Sequence, residues 1–173
     1  MLASRNNHLN IATYLVGQGA IVDAASNYGW TAVMAASHGG HLELSRFLYD
    51  SGADVNAADD EGLTALMFAS SGGNLDLSRF LCDSGANVNA ADNHGWTALM
   101  EASEEGHLAI VRYLTEQGAD LFARHQDGRT ALAFAIGFNR IAVAAYLKAE
   151  GNWQRRRSYA FVLRSIKNDE SSG

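Results

Sequence analysis

The strongest constraint on this chain is a short segment that recurs with a period of 33 residues. It reads NYGWTAVM from Asn27, DEGLTALM from Asp60, NHGWTALM from Asn93 and QDGRTALA from Gln126. A glycine and a threonine hold the same place in every copy. Self-similarity at a fixed period of about 20 to 50 residues is typical of repeat proteins, in which each unit packs on its neighbours. We therefore expect a solenoid of about five units instead of a domain with one central core.

The rest of each period also follows a fixed order. Gly-x-Thr-Ala-Leu is followed by a small-residue helix, Gly-His or Gly-Asn, an apolar helix that ends in a pair such as Phe47-Leu48, and Gly-Ala-Asp-Val-Asn-Ala. This order resembles the ankyrin repeat, and the resemblance runs from about residue 2 to residue 151. It implies an all-α solenoid of stacked helix-turn-helix units with projecting β-turn fingers.

Aligning the copies divides the chain into units. The first unit matches only the later part of a repeat and lacks the Gly-x-Thr start, so we expect the chain to be a fragment of a longer protein. After Gly151 the period fails, and a helical spacing of apolar residues predicts a capping helix and a disordered tail. The predicted boundaries are 1–25 for the partial repeat, 26–58, 59–91, 92–124 and 125–151 for the others, 152–167 for the capping helix and 168–173 for the tail.

Each repeat carries its own signals for the start and end of its helices. The threonine of the recurring segment is placed to cap the first helix with its hydroxyl, and alanine follows where ankyrin repeats usually have proline. Four residues are expected to end the first helices in the left-handed conformation: Gly40, Gly73, Gly106 and Asn139. The second helices, which are apolar at helical spacing, are expected to end at Gly52, Gly85, Gly118 and Gly151.

Composition describes a soluble, ordered and mildly acidic protein. The chain has 173 residues, a formal net charge of −6 and no proline. It has no segment of transmembrane length and no cleavable signal pattern at Met1. The lone Cys82 cannot form an intramolecular disulfide, which fits a reducing compartment. We therefore expect a cytoplasmic or nuclear protein.

The residues with catalytic or metal-binding chemistry do not form a familiar motif. There is no phosphate-binding glycine loop, no Cys-x-x-Cys, no His-Glu-x-x-His and no serine in a nucleophile elbow. His41 and His107 recur at one repeat position, where the ankyrin family commonly has a structural histidine. Cys82 occupies a semi-buried helix position that favours packing. We expect a non-enzymatic protein with neither cofactor nor metal.

Three methionines stand where ankyrin repeats usually have a histidine that ties the finger to the helix: Met34, Met67 and Met100. We therefore expect that polar tie to be absent. The flexible thioethers either fill the gap as packing or form an adaptable contact stripe for a partner.

The resemblance implies that a partner binds the concave side, which is formed by the finger tips and the exposed face of the first helices. The finger residues that flank each glycine are Tyr28 and Trp30, Glu61 and Leu63, His94 and Trp96, and Asp127 and Arg129. Four of them are expected to form a row: Trp30, Leu63, Trp96 and Arg129. Trp and Arg are enriched in binding hot spots. Two roles stay open for this row, which are partner binding and packing against the neighbouring finger.

Acidic residues accompany the row. Glu101, Glu104 and Glu105 fall at i, i+3 and i+4 on one short predicted helix, and residues 59–61 of the preceding finger are all acidic. Residues 1–151 hold 8 Lys/Arg against 17 Asp/Glu, a formal charge of −9. An acidic concave face predicts a protein partner with a basic segment and apolar anchors, and it disfavours nucleic acid. The alternative is that these charges are only solvated surface.

The C-terminal residues 152–173 carry the opposite charge, with 5 Lys/Arg against 2 Asp/Glu. Their basic cluster consists of Arg155, Arg156, Arg157, Arg164 and Lys167. The cluster suits nucleic acid, an anionic lipid face or an acidic partner, or it is the solvated face of a capping helix. The leading prediction is a non-enzymatic protein-protein interaction module, monomeric or part of a larger chain or complex. The alternatives are an adaptor that binds nucleic acid or an anionic surface through this helix, and a regulatory fragment of a larger enzyme.

Overall fold

The computed structural model describes residues 1–152, and its helices occur in pairs. Their bounds are α1 Leu2–Arg5, α2 Leu9–Gly17, α3 Ala32–His38, α4 Leu42–Asp50, α5 Ala65–Ser71, α6 Leu75–Asp83, α7 Ala98–Glu105, α8 Leu108–Glu116, α9 Ala131–Gly137 and α10, residues 141–152, which reaches the end of the described range. Two isolated antiparallel bridges, Ala58 with Thr64 and Ala91 with Thr97, lie between the pairs. The described residues contain no strand longer than these bridges. The predicted all-α architecture is confirmed.

The helix pairs stack in chain order. The first helices form one layer, in which α1 packs on α3, α3 on α5, α5 on α7 and α7 on α9. The second helices form the other layer, in which α2 packs on α4, α4 on α6 and α6 on α8. The buried residues join into a continuous cluster that runs through the stack. This is the repeat solenoid that the 33-residue period predicts.

Burial follows the sequence period. Ala36, Ala69 and Ala102 are fully buried between the first helices, where a small side chain allows neighbouring helices to approach closely. Leu44 and Leu77 are fully buried in the layer of second helices. Because the helices that carry these side chains pack on the matching helices of the neighbouring repeats, the core depends on the stacking of neighbours.

The threonine caps differ between repeats. The hydroxyls of Thr97 and Thr130 accept hydrogen bonds from backbone N–H groups at 3.3 and 3.4 Å, as predicted. Thr64 makes no such bond, so the prediction is wrong for that repeat. Thr31 and Met34 are arranged as a capping box, although the Thr31 hydroxyl makes no hydrogen bond of standard geometry, and the backbone N–H of Thr31 donates to the Met34 sulfur at 3.5 Å. A weak tie from finger to helix is therefore present at Met34, where the sequence predicts none.

The ends of the first helices are as predicted. Gly40, Gly73 and Gly106 have φ angles of 71°, 73° and 88°, and Asn139 has a φ of 57°. Space adds a second reason for glycine, because a Cβ at Gly40 would lie 2.7 Å from the side chain of Asn74 in the next repeat. The second helices end as predicted at Gly52, Gly85 and Gly118. The prediction for Gly151 is wrong, since α10 continues through it.

In three of the turns between paired helices, a side chain lies within hydrogen-bond distance of a backbone carbonyl of the preceding repeat. The Nε2 atom of His41 lies 3.1 Å from the Arg5 carbonyl, and that of His107 lies 3.0 Å from the Ser71 carbonyl. Arg140 holds this position in the last repeat, and its Nε donates to a backbone carbonyl of α7 at 2.6 Å. The structural interpretation of the two histidines is confirmed.

Two predicted segments fall largely outside the described range. Residues 153–173 include most of the predicted capping helix, 152–167, and all of the predicted tail, 168–173. Among the described residues, no helix is both long and apolar enough to cross a membrane.

Candidate binding surface

The first three fingers are tight turns, and in each of them one side chain at the base closes the turn. The carboxylate of Asp59 accepts hydrogen bonds from the backbone N–H groups of Glu61 and Leu63 at 3.0 and 2.8 Å. Asp92 makes the same pair of bonds in the next finger, and the hydroxyl of Ser26 makes them in the first. Such side-chain bonds favour turns because they satisfy backbone donors locally. The charge of Asp59 therefore supports its own finger.

Backbone hydrogen bonds join each finger to the next. They run from the N–H of Asp60 to the carbonyl of Tyr28 (3.2 Å), from Asn93 to Glu61 (2.9 Å) and from Gln126 to His94 (2.7 Å). This contact leaves no room for a side chain at Gly29, where a Cβ would lie 2.8 Å from backbone atoms of the neighbouring finger. Gly29 also has a φ of 77°, which glycine adopts at little cost. The fingers therefore form one hydrogen-bonded row.

The two tryptophans of the predicted row pack on the following repeat. The ring centroid of Trp30 lies 4.7 Å from that of Phe68, and His38 adds an edge contact at 5.7 Å from Trp30. The ring of Trp96 lies 4.2 Å from that of Phe134. Both indoles are half-buried. The expected packing against the neighbouring finger is present only for Trp96, whose ring lies 5.2 Å from that of His125, while Trp30 packs on first helices instead. The role of both tryptophans in partner binding stays a prediction.

The other two members of the row have different surroundings. Leu63 is half-buried and lies against no aromatic side chain of α7, because the matching position there is Glu101. Arg129 is exposed, and its guanidinium lies 4.2 Å from the centre of the Phe134 ring. Arg129 also pairs with Asp127 at 2.6 Å and, by this hydrogen bond, holds the pKa of that carboxyl well below its usual range.

The remaining finger residues point away from the core. Tyr28 is 76% exposed, and Glu61, His94 and Asp127 are exposed as well. The Nδ1 atom of His94 lies 3.1 Å from the Oε1 atom of Gln126 on the next finger. These side chains are free of core packing, so they are available at the surface of the finger row.

The three predicted acidic residues of α7 have different environments. Burial raises the pKa of the half-buried Glu101 carboxyl, and the side chains of Ser71 and Trp96 lower it in part. Burial also raises the pKa of Glu104, with a further contribution from its acidic neighbour. Glu105 is exposed, and its carboxylate lies 3.9 Å from Arg140. The helix therefore does not present three equivalent carboxylates.

A cavity of about 280 Å³ opens beside Glu101. Its lining comes from the first helices of three consecutive repeats and from one finger: His38, Leu63, Met67, Phe68, Ser71, Gly72 and Glu101. The cavity thus lies on the predicted concave side, where the second finger meets the layer of first helices. It joins predicted residues Leu63 and Glu101 with His38, Phe68 and Ser71, to which sequence reasoning assigned no binding role.

The comparison with protein families agrees with this geometry. A family model described as ankyrin repeats in three copies matches the chain over residues 1–59, 52–125 and 95–157. The chain belongs to the ankyrin repeat family. None of the curated proteins matches it. Ankyrin repeats are generally protein-protein interaction modules, and ankyrin repeat domains are typically non-enzymatic.

One titratable group of this ankyrin chain with a large shift in pKa is the thiol of Cys82. Burial raises the pKa of Cys82 to about 11, and the charge of Asp83 adds to the shift. The thiol therefore stays protonated near neutral pH, which is the opposite of what a nucleophile needs. Within residues 1–152, no group of three or more His, Cys, Asp or Glu side chains is placed to hold a metal ion.

A second contact between ankyrin units was missed by sequence reasoning. On the second helices, an arginine of each full repeat stacks on an aromatic ring of the next. The pairs are Arg46 with Phe80 (4.7 Å), Arg79 with Tyr113 (5.5 Å) and Arg112 with Tyr146 (5.0 Å). The signal was an Arg followed directly by an aromatic residue in successive copies. The pairing becomes apparent only when the arginine of one repeat is compared with the aromatic residue of the following repeat.

The predicted basic patch is not part of this surface. Arg155, Arg156, Arg157, Arg164 and Lys167 all lie outside the described residues. Their predicted role therefore stays a prediction from charge alone.

Proposed function

We propose that this chain binds a partner protein, without catalysis, on its concave face. The concave face is the surface formed by the finger tips and the exposed side of α3, α5, α7 and α9. The observation that carries the proposal is the row of fingers, which is held by backbone hydrogen bonds and yet presents exposed side chains. A pre-organised surface of this kind loses little conformational freedom on binding.

Side chains on the concave face have the composition of a binding surface. Tyr28 is largely exposed at one end of the finger row, and the half-buried Trp30 and Trp96 lie behind the tips. Aromatic residues and arginine are enriched in interface hot spots, and Arg129 is exposed at the other end. The tryptophans serve both roles in this proposal, because their inner edges pack on the next repeat and their outer edges stay accessible.

Charge favours a basic partner segment with apolar anchors. Residues 1–151 carry a formal charge of −9. On the concave face, Glu61 is exposed, Glu101 and Glu104 are half-buried, and Glu105 is exposed at the end of α7. Complementary charge speeds association and selects against acidic partners such as nucleic acid.

A comparison of two matched double variants tests the proposed face. Tyr28→Ala with Glu61→Lys changes the fingers, and Tyr14→Ala with Glu43→Lys makes the same chemical changes on the second helices α2 and α4. All four side chains are exposed, so both variants should keep the melting temperature of the wild type. Each protein is used to capture partners from a cell lysate, and the captured proteins are quantified by mass spectrometry.

The proposal expects partners that are retained by the wild type and by the second-helix variant and that are reduced at least tenfold by the finger variant. Partners that are lost with the second-helix variant and retained by the finger variant would place the binding face on the opposite side of the solenoid. That result would overturn the proposal.

A further inference from the structure

One position of the first helices breaks the pattern of its neighbours. Successive repeats place Ala35, Phe68, Glu101 and Phe134 at this position. Phe68 and Phe134 each pack under a tryptophan of the preceding finger, at 4.7 and 4.2 Å. Glu101 instead lies beside Leu63 at the 280 Å³ cavity. The fold accepts a large apolar ring at this position, so a charged residue there is a local conflict, and such conflicts are typical of functional sites.

The Glu101 carboxylate has no cation beside it. The ion pairs of the described residues use Asp127 and Glu105, and none uses Glu101. The side chains of Ser71 and Trp96 lie near Glu101 and are neutral hydrogen-bond donors, so they supply no positive charge. The indole Nε1 of Trp96 is buried and makes no hydrogen bond of standard geometry. A half-buried carboxylate without a counter-charge costs free energy, which a cation from outside would recover.

Other titratable groups near the cavity strengthen the negative potential. Glu104 and Glu105 both act on Glu101 through their charge. His38 lines the opposite side, where its ring contacts those of Trp30 and Phe68. Arg140 pairs with Glu105, and the charges of Arg129 and Arg140 act on Glu104, whereas no cation among the described residues acts on Glu101. Glu101 is therefore the carboxylate of the three whose charge is left without compensation, and it attracts a positive charge.

The size and lining of the cavity restrict what the cation can be. A volume of about 280 Å³ lies just below the range of about 300–1,000 Å³ that is common for small-molecule sites, so it suits one side chain of a partner. Phe68 and Glu101 both line this cavity. A planar guanidinium can pair with a carboxylate through two hydrogen bonds and stack on a ring, whereas an ammonium offers only a point charge.

The protein already contains this type of contact. Arg129 occupies the finger position that matches Leu63, and its guanidinium lies 4.2 Å from the centre of Phe134 while it pairs with Asp127. The arginines at 46, 79 and 112 stack on rings of the neighbouring repeat in the same way. A partner's arginine that stacks on Phe68 would therefore repeat the contact that Arg129 of the fourth finger makes with Phe134.

We propose that the cavity receives an arginine side chain from the partner protein, with its guanidinium on the Glu101 carboxylate and against the Phe68 ring. This inference rests on the proposed function, since it assigns one anchor of the partner that binds the concave face. It also explains why Glu101, a charged residue, stands at the position where the two adjacent repeats have Phe68 and Phe134.

A displayed library of random twelve-residue peptides, selected on the immobilised protein, provides the probe. Selected peptides are synthesised, and their dissociation constants are measured by fluorescence anisotropy for the wild type and for Glu101→Gln. Each peptide is also made with its arginines replaced singly by citrulline, which keeps the shape of the side chain and removes its charge. Glu43→Gln, an exposed change on α4, is the matched control.

The inference expects selected peptides with one arginine whose replacement by citrulline weakens binding at least tenfold. Glu101→Gln should weaken the same peptides by a similar factor, and the two changes together should cost little more than either alone, because they remove one shared contact. Glu43→Gln should leave affinity unchanged. If Glu101→Gln lowers the melting temperature, Glu101→Phe serves as the second variant.

Two negative results have different meanings. Peptides that lose affinity with the finger variant Tyr28→Ala/Glu61→Lys, and bind Glu101→Gln as tightly as the wild type, would overturn the arginine cavity and leave the concave face as the binding site. Peptides that respond to none of the concave-face variants would overturn both the cavity and the proposed function.

Discussion

The second finger differs from the first and third in what it meets on the next repeat. Trp30 and Trp96 each cover a phenylalanine of the following first helix, and these contacts close the concave side at those two junctions. At the middle junction the finger contributes Leu63, the helix contributes Glu101, and a cavity lies between them. At all three junctions the same kind of backbone hydrogen bond joins the finger to the next one. Ring packing therefore closes two of the junctions, whereas the middle junction keeps a cavity, which we propose receives a side chain of the partner.

The largest expected loss of stability comes from replacing the ring at a closed junction by a carboxylate. Phe134→Glu removes a ring that is 1% exposed and puts a carboxylate under Trp96. We expect unfolding free energy to fall by about 3 kcal/mol or more, because packing is lost and a charge is buried, although Arg129 lies close enough to offset part of the cost. Urea unfolding followed by circular dichroism measures the change. A loss below about 1 kcal/mol would mean that the ring does not close the junction.

Truncating the finger residues should reveal how much each junction contributes to the unfolding free energy. Trp96→Ala is expected to cost about 2–3 kcal/mol, since the indole packs on Phe134, and Leu63→Ala about 1 kcal/mol, since the leucine borders a cavity. Both values come from the same unfolding experiment, so the control is internal. Equal losses would contradict the division into closed and open junctions.

The smallest expected effect is a change in thermal stability for Glu101→Gln that depends on pH. Because burial raises the pKa of Glu101 in the folded state, the folded protein binds its proton more tightly than the unfolded chain does. Ionised Glu101 therefore lowers stability at pH 7, and this penalty disappears as the pH falls through the raised pKa. Glu101→Gln should raise the melting temperature at pH 7, and the gain should shrink toward pH 4.

Exposed Glu43→Gln provides the control for that series, and its effect on the melting temperature should be small at both pH values. A gain for Glu101→Gln that grows as the pH falls would show that the carboxylate stabilises the fold, which is the reverse of the account given above.

The sequence predicted the stack well because its signals are local and repeated. The period and the left-handed residues at Gly40 and Asn139 follow from rules that act within one repeat. The structural role of His41, which bonds to the preceding repeat, followed from the resemblance to the ankyrin family. The error at Gly151 has a simple cause. Glycine ends a helix only where the chain turns, and here α10 continues through it.

Sequence reasoning was weaker where two repeats meet. It could not tell that Trp30 covers Phe68 or that Glu101 borders a cavity, since these contacts join residues of different copies through their side chains. Residue type alone does not decide burial either. Ile11 is 50% exposed, whereas Leu44, at the same repeat position, is fully buried by its neighbours. Pairing each finger with the next first helix in the alignment would have revealed the exception at Glu101.

The central claim is that the middle junction carries a carboxylate at a cost in stability. Urea unfolding of Glu101→Phe at pH 7 tests it most directly, because the variant places at this junction the ring that closes the other two. We expect the variant to be more stable than the wild type by about 1 kcal/mol, from added apolar burial and the loss of a half-buried charge. A variant that is less stable than the wild type would mean that Glu101 is part of what holds the stack together.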